Sequence, residues 1–298
     1  MLFEHRLGSL AYPMLNALGV AAAALCAAVL IFLEWRRRRQ TEAPPPPPDA
    51  QHKYNPFYYL SKERRKQFNP IIYMMYAVVS YGCMQPGVWL TGLLLNVTKI
   101  AGQWQVYSSG VVFASGVLVG IPIFLLFARF FPGNGRPTVQ LEIVTTSMAL
   151  THVFNRMACF LNGCCFGIPC SFGIIYPDTA LPSTTYGAGT RLFPNQLLES
   201  AIMLVCFIVI LILRARGKRT LPIFPLVFGA TGFLLGFVMN HKFEPLKPIL
   251  GFVYPGPFAH LLVFILGLFF LFLVLREKKK SRGAQGKSVK GAAEGVSG

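Results

Sequence analysis

Long apolar runs follow one another along almost the whole chain, and they decide which kind of fold is open to it. Each run approaches the ~20 residues that a helix needs to cross ~30 Å of hydrocarbon. The sequence therefore predicts an all-α, polytopic integral membrane protein with seven transmembrane helices. We expect these helices at approximately residues 12–33, 71–97, 106–131, 139–161, 196–213, 221–239 and 257–275.

The composition agrees with a membrane protein made of one domain. Hydrophobic residues make up 54% of the 298 residues and charged residues only 13%, whereas soluble domains carry about a quarter charged residues. No soluble-looking block between the runs is long enough to bury a core of its own. We expect a single membrane domain over residues 1–280.

Basic residues lie at the ends of the apolar runs and concentrate on alternate loops. The basic groups are found at 36–39 with 62–66, at 129 and 136, at 214–219 and at 276–280. Because basic residues near span ends mark the cytoplasmic side, seven crossings fit, with the amino terminus outside and the carboxy terminus in the cytoplasm. The net charge of +17 therefore indicates topology, and we expect no nucleic acid partner.

Two segments outside the runs have compositions of their own. Residues 40–70 contain five consecutive prolines, 44–48, and then basic residues, which is typical of a stiff cytoplasmic linker. Residues 281–298 contain mainly Lys, Gly, Ser and Ala without apolar periodicity, so we expect a disordered, basic cytoplasmic tail. The first run carries its basic residues after the apolar stretch, so we expect an anchor instead of a cleaved signal peptide.

Ionisable residues at the depth of a span are costly and often functional. His152 and Arg156 lie four residues apart in the fourth run, so a helix places them on one face. Two roles are open for Arg156. It could bind a phosphate through its planar guanidinium, or it could pair with a carboxylate such as Glu199 and hold helices together.

The residues around Arg156 carry a resemblance to a known family. Residues 155–163 read Asn-Arg-Met-Ala-Cys-Phe-Leu-Asn-Gly, Gly167 and Pro169 follow, and 194–199 read Pro-Asn-Gln-Leu-Leu-Glu. This order resembles the signature of prolipoprotein diacylglyceryl transferases: an Arg, a Phe-x-Asn-Gly turn, a Gly-x-Pro and a downstream Pro-x-Gln-Leu-Tyr-Glu. The resemblance covers roughly residues 109–199 and agrees with the topology.

The resemblance implies a reaction in the bacterial inner (plasma) membrane. The family transfers a diacylglyceryl group from phosphatidylglycerol to the thiol of the lipobox cysteine in a prolipoprotein signal peptide. Arg156 then matches the arginine that binds the lipid phosphate, beside membrane lipids. The other substrate-binding residues that the resemblance implies shape or orient the turn: Asn162, Gly163, Gly167, Gln196 and Glu199.

The chain departs from the family where a base would act on the incoming thiol. The family has a His in its third helix, and the aligned residue here is Ala114. A second family arginine aligns with Asn240. A thiol with an ordinary pKa near 8.5 benefits from a nearby base. The residues that could substitute are His152, His241 and Glu244, although His152 could also be a core histidine that donates to a backbone carbonyl.

Four cysteines lie close together in the sequence, as Cys-x4-Cys-Cys-x4-Cys from Cys159 to Cys170. This is not a regular zinc spacing, so we expect no metal and no cofactor. A disulfide between Cys165 and Cys170, apolar packing, and a redox or acyl-carrying cysteine remain open.

Two other functions are compatible with the sequence. One is a paralogue within the family that binds phospholipid but lacks the transfer activity or uses another acceptor, and Ala114 and Asn240 favour it. The other is a transporter of small solutes or lipids, in which interior charges line a pathway. The transporter predicts pseudo-symmetric halves, and the sequence has no convincing internal repeat.

Overall fold

The computed structural model describes residues 5–41, 97–100, 103–106, 111–130, 137–176, 181–239 and 255–294. These residues are mostly helical. The helices are α1 His5–Thr41, α2 Val111–Phe130, α3 Pro137–Asn162, α4 Leu181–Tyr186, α5 Asn195–Ala215, α6 Ile223–Gly236 and α7 Pro255–Glu294. The strands are β1 Val97–Ile100, β2 Gln103–Val106, β3 Pro169–Ile175 and β4 Arg191–Leu192.

Helix α3 lies at the centre, between α1 and α5. It is buried even where it is polar, since residues 139–149 are all buried although they include Gln140 and Glu142. Its hydroxyl side chains satisfy their hydrogen bonds within the helix, as Thr145 Oγ1 does by donating to Leu141 O at 2.9 Å. A polar helix of this kind needs other helices around it, because polar side chains in a membrane face the interior of a bundle.

The second half of the core joins α2, α6 and α7. Helices α6 and α7 pack along each other, and α2 packs against α7. Phe224 and Phe228 of α6 are fully buried and stack with ring centroids 5.3 Å apart. Ala114 of α2 is buried in the same cluster, so small and aromatic side chains interlock here at the close packing usual for protein interiors.

Within the part of the chain that the structure describes, three helices are long and apolar enough to cross a membrane: Pro13–Arg37, Asn195–Ala215 and Gly256–Arg276. Each exposes large apolar side chains on its outer face, among them Leu25, Ile208 and Phe272. Such faces suit lipid, since contiguous apolar surface of this kind is uncommon on soluble monomers. They confirm that apolar helices form where the first, fifth and seventh runs were expected.

The other four expected runs agree with the structure to different degrees. The third, fourth and sixth runs correspond to helices α2, α3 and α6, of which α2 and α6 contain the shorter apolar stretches Gly116–Leu126 and Ile223–Gly236. Of the second run, 71–97, only Val97 is described, in the antiparallel β1–β2 hairpin. The linker at 40–70 likewise lies outside the described residues except at its first two positions.

The carboxy-terminal tail differs from the expectation of disorder. Helix α7 continues without a break from the last span to Glu294, so residues 281–294 are helical. Residues 281–294 mix strong helix formers (Ala, Lys, Arg, Gln and Glu) with three glycines, and the span that precedes them supplies the helix nucleus.

Three charged side chains connect α3 to the turn between α5 and α6. Glu142 Oε1 lies 3.1 Å from Arg219 Nε, and Glu142 Oε2 lies 3.9 Å from Arg214 Nη1. Arg219 Nη2 also donates to Thr138 Oγ1 at 2.7 Å. The Thr220 backbone N–H donates to Glu142 Oε1 at 3.3 Å. This charged cluster fixes one end of the bundle, opposite the end where α3 terminates.

Candidate active site

A buried carboxylate lies at the centre of the site. Glu199, in the second turn of α5, receives Arg156 Nε on Oε2 at 2.8 Å and His152 Nε2 on Oε1 at 2.9 Å. Arg156 and His152 both come from α3, where their spacing of four places them on one face as the sequence predicted. The ion pair between Arg156 and Glu199 is therefore present and joins α3 to α5.

His152 is held by its surroundings. Its ring lies 5.0 Å from that of Phe113 and 4.9 Å from that of Phe228, measured between ring centroids. Its Nε2 donates to the Glu199 carboxylate, and not to a backbone carbonyl as the alternative for a core histidine supposed. The 3.3 Å approach of Arg156 Nε to the same nitrogen is then a close contact, because that nitrogen already carries a proton.

A small cavity opens beside Arg156, at the junction of α3, α5, α6 and α7. Its volume is about 20 Å³, which is room for one water molecule. A lipid headgroup does not fit into this space, so the lipid-sized opening that phosphate binding by Arg156 requires is not seen here. The residues that line the cavity are Arg156, Asn195, Glu199, Gly232, Leu235, Gly236, Met239, Gly256, Pro257 and His260.

Two polar atoms in the cavity walls have no hydrogen-bond partner among the described residues. They are Asn195 Oδ1 and His260 Nε2, and both residues are at least nine-tenths buried. His260 Nδ1 donates to Gly256 O at 2.9 Å, which leaves Nε2 as the nitrogen with a free lone pair. Buried polar groups are normally paired, so these atoms indicate that the cavity is built to receive a polar ligand.

The sequence profile of the prolipoprotein diacylglyceryl transferase family matches residues 61–274, which is more than half of the 298 residues. The chain belongs to the prolipoprotein diacylglyceryl transferase family. The match extends well beyond residues 109–199, where the sequence motifs are visible, and it includes the described helices α2 to α6 and the first half of α7.

Two relatives carry the name of this family. Phosphatidylglycerol–prolipoprotein diacylglyceryl transferase 2 of Clostridium perfringens (strain 13 / Type A) is 28% identical over 104 residues, which are 33% of this chain and 39% of that protein. Phosphatidylglycerol–prolipoprotein diacylglyceryl transferase of Clostridium tetani (strain Massachusetts / E88) is 26% identical over 133 residues, 44% of this chain and 51% of that protein. The aligned stretch spans about half or less of these relatives.

The family's signature turn follows α3 and is fixed by hydrogen bonds. Gly163 adopts a left-handed φ of 68°, a conformation that glycine accepts without strain. Gly167 donates to Phe193 O at 3.1 Å, and the fully buried Gln196 donates from Nε2 to Cys164 O at 2.5 Å. Asn162 is exposed at the end of α3. None of these four residues lines the cavity, so they shape the turn beside it.

Tyr176 supports the turn from the end of β3. Its hydroxyl donates to Gln196 Oε1 at 3.4 Å, and its ring packs against Phe166. Burial raises the pKa of Tyr176 to about 12, so the phenol stays protonated and keeps its role as a donor. The segment 168–191 contains β3, α4 and the start of β4.

Three cysteines of the family turn meet in space. The Sγ atoms of Cys159, Cys164 and Cys165 all lie within 4.8 Å of one another. The Cys159 thiol donates to Asn155 Oδ1 and the Cys164 thiol donates to Cys159 O, each at 3.6 Å. Cys170 is not part of this group, and no disulfide joins it to Cys165. The linear spacing did not predict this grouping, because the turn folds back on the end of α3.

The residues expected to replace the family histidine have different outcomes. His241 and Glu244 lie outside the described residues, as does Asn240. His152 does not line the cavity, whereas His260 does. Sequence reasoning included Asn195 in the signature but assigned neither Asn195 nor His260 to the site. The missed signal was the pair of glycines in α6, Gly232 and Gly236, that allow α7 to come close.

Proposed function

We propose that this chain transfers the diacylglyceryl group of phosphatidylglycerol to the lipobox cysteine thiol of a prolipoprotein. Its family and the names of its relatives support this reaction. The observation that carries the proposal is Arg156 beside two unpartnered buried polar atoms, Asn195 Oδ1 and His260 Nε2, in one cavity. The cation can bind the phosphate, and the two neutral acceptors can receive hydrogen bonds from the hydroxyl groups of the glycerol headgroup.

Arg156 binds the phosphate in this proposal while its ion pair stays in place. Within the described residues, the polar contacts of its guanidinium use Nε, directed at Glu199 and near His152. A guanidinium has five N–H donors in a planar fork, so its terminal amino groups can donate hydrogen bonds to a phosphate at the same time. Glu199 then acts as a positioning residue, and His152 fixes Glu199 in turn.

The charge of Arg156 has most effect as the leaving group departs. Attack by the thiolate on the glyceryl carbon next to the phosphate ester oxygen forms a C–S bond and breaks the C–O bond. The electron pair leaves with glycerol phosphate, whose negative charge rises. A fixed cation in a site with little water stabilises that developing charge. The transferred diacylglyceryl group stays in the membrane throughout.

His260 is the group that we propose as acceptor of the thiol proton. Its Nε2 lone pair lines the cavity, whereas His152 lies behind Glu199. His241 and Glu244 remain candidates for the same step, since they adjoin Met239 of the cavity wall in sequence. A base at this position compensates for Ala114, which is buried among apolar side chains and offers no proton acceptor.

A lipid headgroup requires the cavity to enlarge. The narrow place is the contact of α6 with α7, where a Cβ on Gly236 would collide with the Pro257 ring. We propose that α6 and α7 separate here to admit phosphatidylglycerol from the bilayer.

The topology belongs to the same proposal. We propose seven crossings of the bacterial inner membrane, with the amino terminus outside and the carboxy terminus in the cytoplasm, on the strength of the alternating basic loops. The turn at 163–176 then lies near the outer surface, where a secreted precursor arrives. Reporter fusions after residues 38, 134, 216 and 280 test this, because all four sites should report a cytoplasmic position.

The test of function uses the purified full chain in phosphatidylglycerol vesicles with a fluorescent lipobox peptide. We expect a mass increase of one diacylglyceryl group on the peptide cysteine, and rescue of a strain depleted of its own transferase. Arg156→Ala should abolish both, while Cys170→Ser, in β3 and outside the cavity, should keep much of the activity. Normal labelling by Arg156→Ala would refute the phosphate role.

Two negative results with wild-type protein identify the alternatives. If the protein binds phosphatidylglycerol but leaves the peptide unmodified, it is a family member without the transfer activity or with another acceptor. If it moves a solute across the vesicle membrane without consuming lipid, it is a transporter. Either outcome overturns the proposed reaction.

A further inference from the structure

The thiol cluster, defined as Cys159, Cys164 and Cys165, has the arrangement of a metal site. All three Sγ atoms lie within 4.8 Å of one another, Cys159 is buried, and the other two are half-buried. In a tetrahedral zinc site with Zn–S bonds of about 2.3 Å, neighbouring sulfurs are separated by roughly 3.8 Å. The three sulfurs therefore lie at most about 1 Å farther apart than such a site requires.

The backbone of the turn is specifically folded to assemble these thiols. Cys165 has a φ of 56°, and it is the non-glycine residue with a positive φ among those that the structure describes. A β-carbon disfavours that conformation, and such residues concentrate at functional sites. The Cys164 backbone N–H donates to Cys159 O at 3.1 Å, and Gln196 holds Cys164 O from the other side. The turn therefore keeps its shape before any ion binds.

Metal binding explains the cluster better than packing or a disulfide. A disulfide between two of the three thiols leaves the third beside it without a partner, and apolar packing does not need a residue in a disfavoured backbone conformation. Three thiolates on one divalent cation carry one net negative charge. Arg156 lies one turn before Cys159 in α3 and already pairs with Glu199 at 2.8 Å, so it offsets that charge only in part.

We propose that Cys159, Cys164 and Cys165 bind one thiophilic divalent cation, Zn²⁺, and leave its fourth position open to a substrate thiol. The ion-binding half of this inference stands on the cluster alone, and the open position rests on the proposed function. Catalytic zinc sites use three protein ligands and one exchangeable position. A thiol that coordinates such an ion is deprotonated.

The open position would supply the activation of the acceptor thiol that the family histidine provides and that Ala114 cannot provide. The acceptor thiol would lose its proton on coordination, and His260 would take it up. The sulfur then forms its bond to the glyceryl carbon as the bond to the phosphate oxygen breaks. The proton finally goes to the departing glycerol phosphate, so no oxidant or reductant is consumed. The cluster and Arg156 would thus hold the nucleophile and the leaving group on adjacent turns of one structure.

The ion-binding half is tested with Co²⁺ on the full chain, purified in detergent, reduced and stripped of metal under anaerobic conditions. We expect one equivalent of Co²⁺ to give thiolate charge-transfer absorption in the near ultraviolet and tetrahedral bands in the visible, and Zn²⁺ to abolish both. Cys159→Ser, Cys164→Ser and Cys165→Ser should each weaken Co²⁺ binding by at least tenfold. Cys206→Ser, a buried change in α5 away from the cluster, is the matched control.

A second measurement needs no variant and covers the case in which the substituted proteins do not fold. Zn²⁺ should slow alkylation of the three cluster cysteines in the wild-type protein, as read by peptide mass spectrometry, and leave Cys170 unaffected. Unchanged alkylation together with absent Co²⁺ bands overturns the proposal. A disulfide within the cluster that, once reduced, yields thiols without affinity for Co²⁺ overturns it as well.

The open position is tested separately from the transfer reaction. Adding a lipobox peptide to the Co²⁺-loaded protein should shift the charge-transfer band, whereas the same peptide with serine in place of cysteine should not. Absence of a shift, with Co²⁺ bound, removes the substrate position and retains the metal site. A shift without transfer of the diacylglyceryl group would instead count against the proposed function.

Discussion

The Nδ1 atom of His260 lies 2.9 Å from the carbonyl oxygen of Gly256 one turn earlier in α7. A carbonyl oxygen accepts only, so Nδ1 carries the proton, and the neutral imidazole presents Nε2 as a lone pair. The ring is held by its own helix and directed into the cavity that Arg156 also lines. A base positioned in this way needs no change of tautomer before it accepts a proton from an incoming thiol.

This orientation predicts that His260 contributes to rate more than to lipid binding. His260→Gln should lower the turnover of the lipobox peptide by roughly 100-fold or more, the usual contribution of a general base, while the affinity for phosphatidylglycerol vesicles changes little. The rate of the variant should also lose the dependence on pH that deprotonation of a histidine imposes. A variant that keeps the wild-type pH profile would show that another group takes the proton.

The contact of Gly232 with His260 predicts an effect of a single methyl group. A Cβ on Gly232 would overlap the imidazole ring at Cδ2 and Nε2, so Gly232→Ala must displace His260 from its hydrogen bond with Gly256. We expect a loss of activity similar to that of His260→Gln. The thermal unfolding midpoint should fall only slightly, because the ring can move toward the cavity. The steric control is Gly256→Ala, whose methyl group meets none of the described residues within 4 Å.

If Gly232→Ala is fully active, the ring position seen here does not matter for the reaction. Labelling of the lipobox peptide and the thermal unfolding midpoint in detergent should be measured on the same preparation. A fall in stability without a fall in activity would assign Gly232 to helix packing alone.

The ion pair between Arg156 and Glu199 predicts strong coupling between the two residues. Glu199→Gln removes the only anion that the structure places on this buried guanidinium within the described residues, and breaking a buried pair from one side typically costs about 3 to 5 kcal/mol. Replacing both by methionine leaves no unpaired charge and should be less destabilising than either single change. Unfolding free energies of the two single variants and the double variant, measured by detergent denaturation, give the coupling energy.

The same variants separate the two roles of Arg156. The double methionine variant should be stable and inactive if Arg156 binds the phosphate. If the double variant transfers the diacylglyceryl group, Arg156 serves only to join α3 to α5.

The general architecture could be predicted because the hydrophobic effect and the charge bias leave clear periodic signals. The positions of α1, α3, α5 and the span in α7 follow from apolar runs and their basic ends. The partnership of Arg156 with Glu199 also followed, since a buried charge needs a counter-ion and few were available. The tail was expected to be disordered because of its glycines and serines, whereas the structure continues α7 through it to Glu294.

The cavity and the thiol cluster could not be predicted, because both depend on close contacts between segments distant in sequence. His260 reaches the site only because α6 has a glycine where its ring passes. Cys165 reaches Cys159 because its backbone adopts an unusual left-handed conformation. A pattern of residue types does not report either event. The wall of the cavity thus contains residues of the signature motif, such as Asn195. The motif itself does not indicate where their side chains point.

The charged cluster at the other end of the bundle leads to a last prediction, on stability alone. Glu142 Oε1 lies 3.1 Å from Arg219 Nε and accepts from the Thr220 backbone N–H at 3.3 Å, and Glu142 Oε2 lies 3.9 Å from Arg214 Nη1. Glu142→Gln keeps the shape but removes the charge, so two partly buried arginines lose their counter-ion. We expect a loss of about 1 to 3 kcal/mol of unfolding free energy, with the active site and Co²⁺ binding unaffected. Because partly buried pairs are weakly screened by salt, the loss should persist at high ionic strength, and a loss that salt abolishes would show that the cluster is open to water.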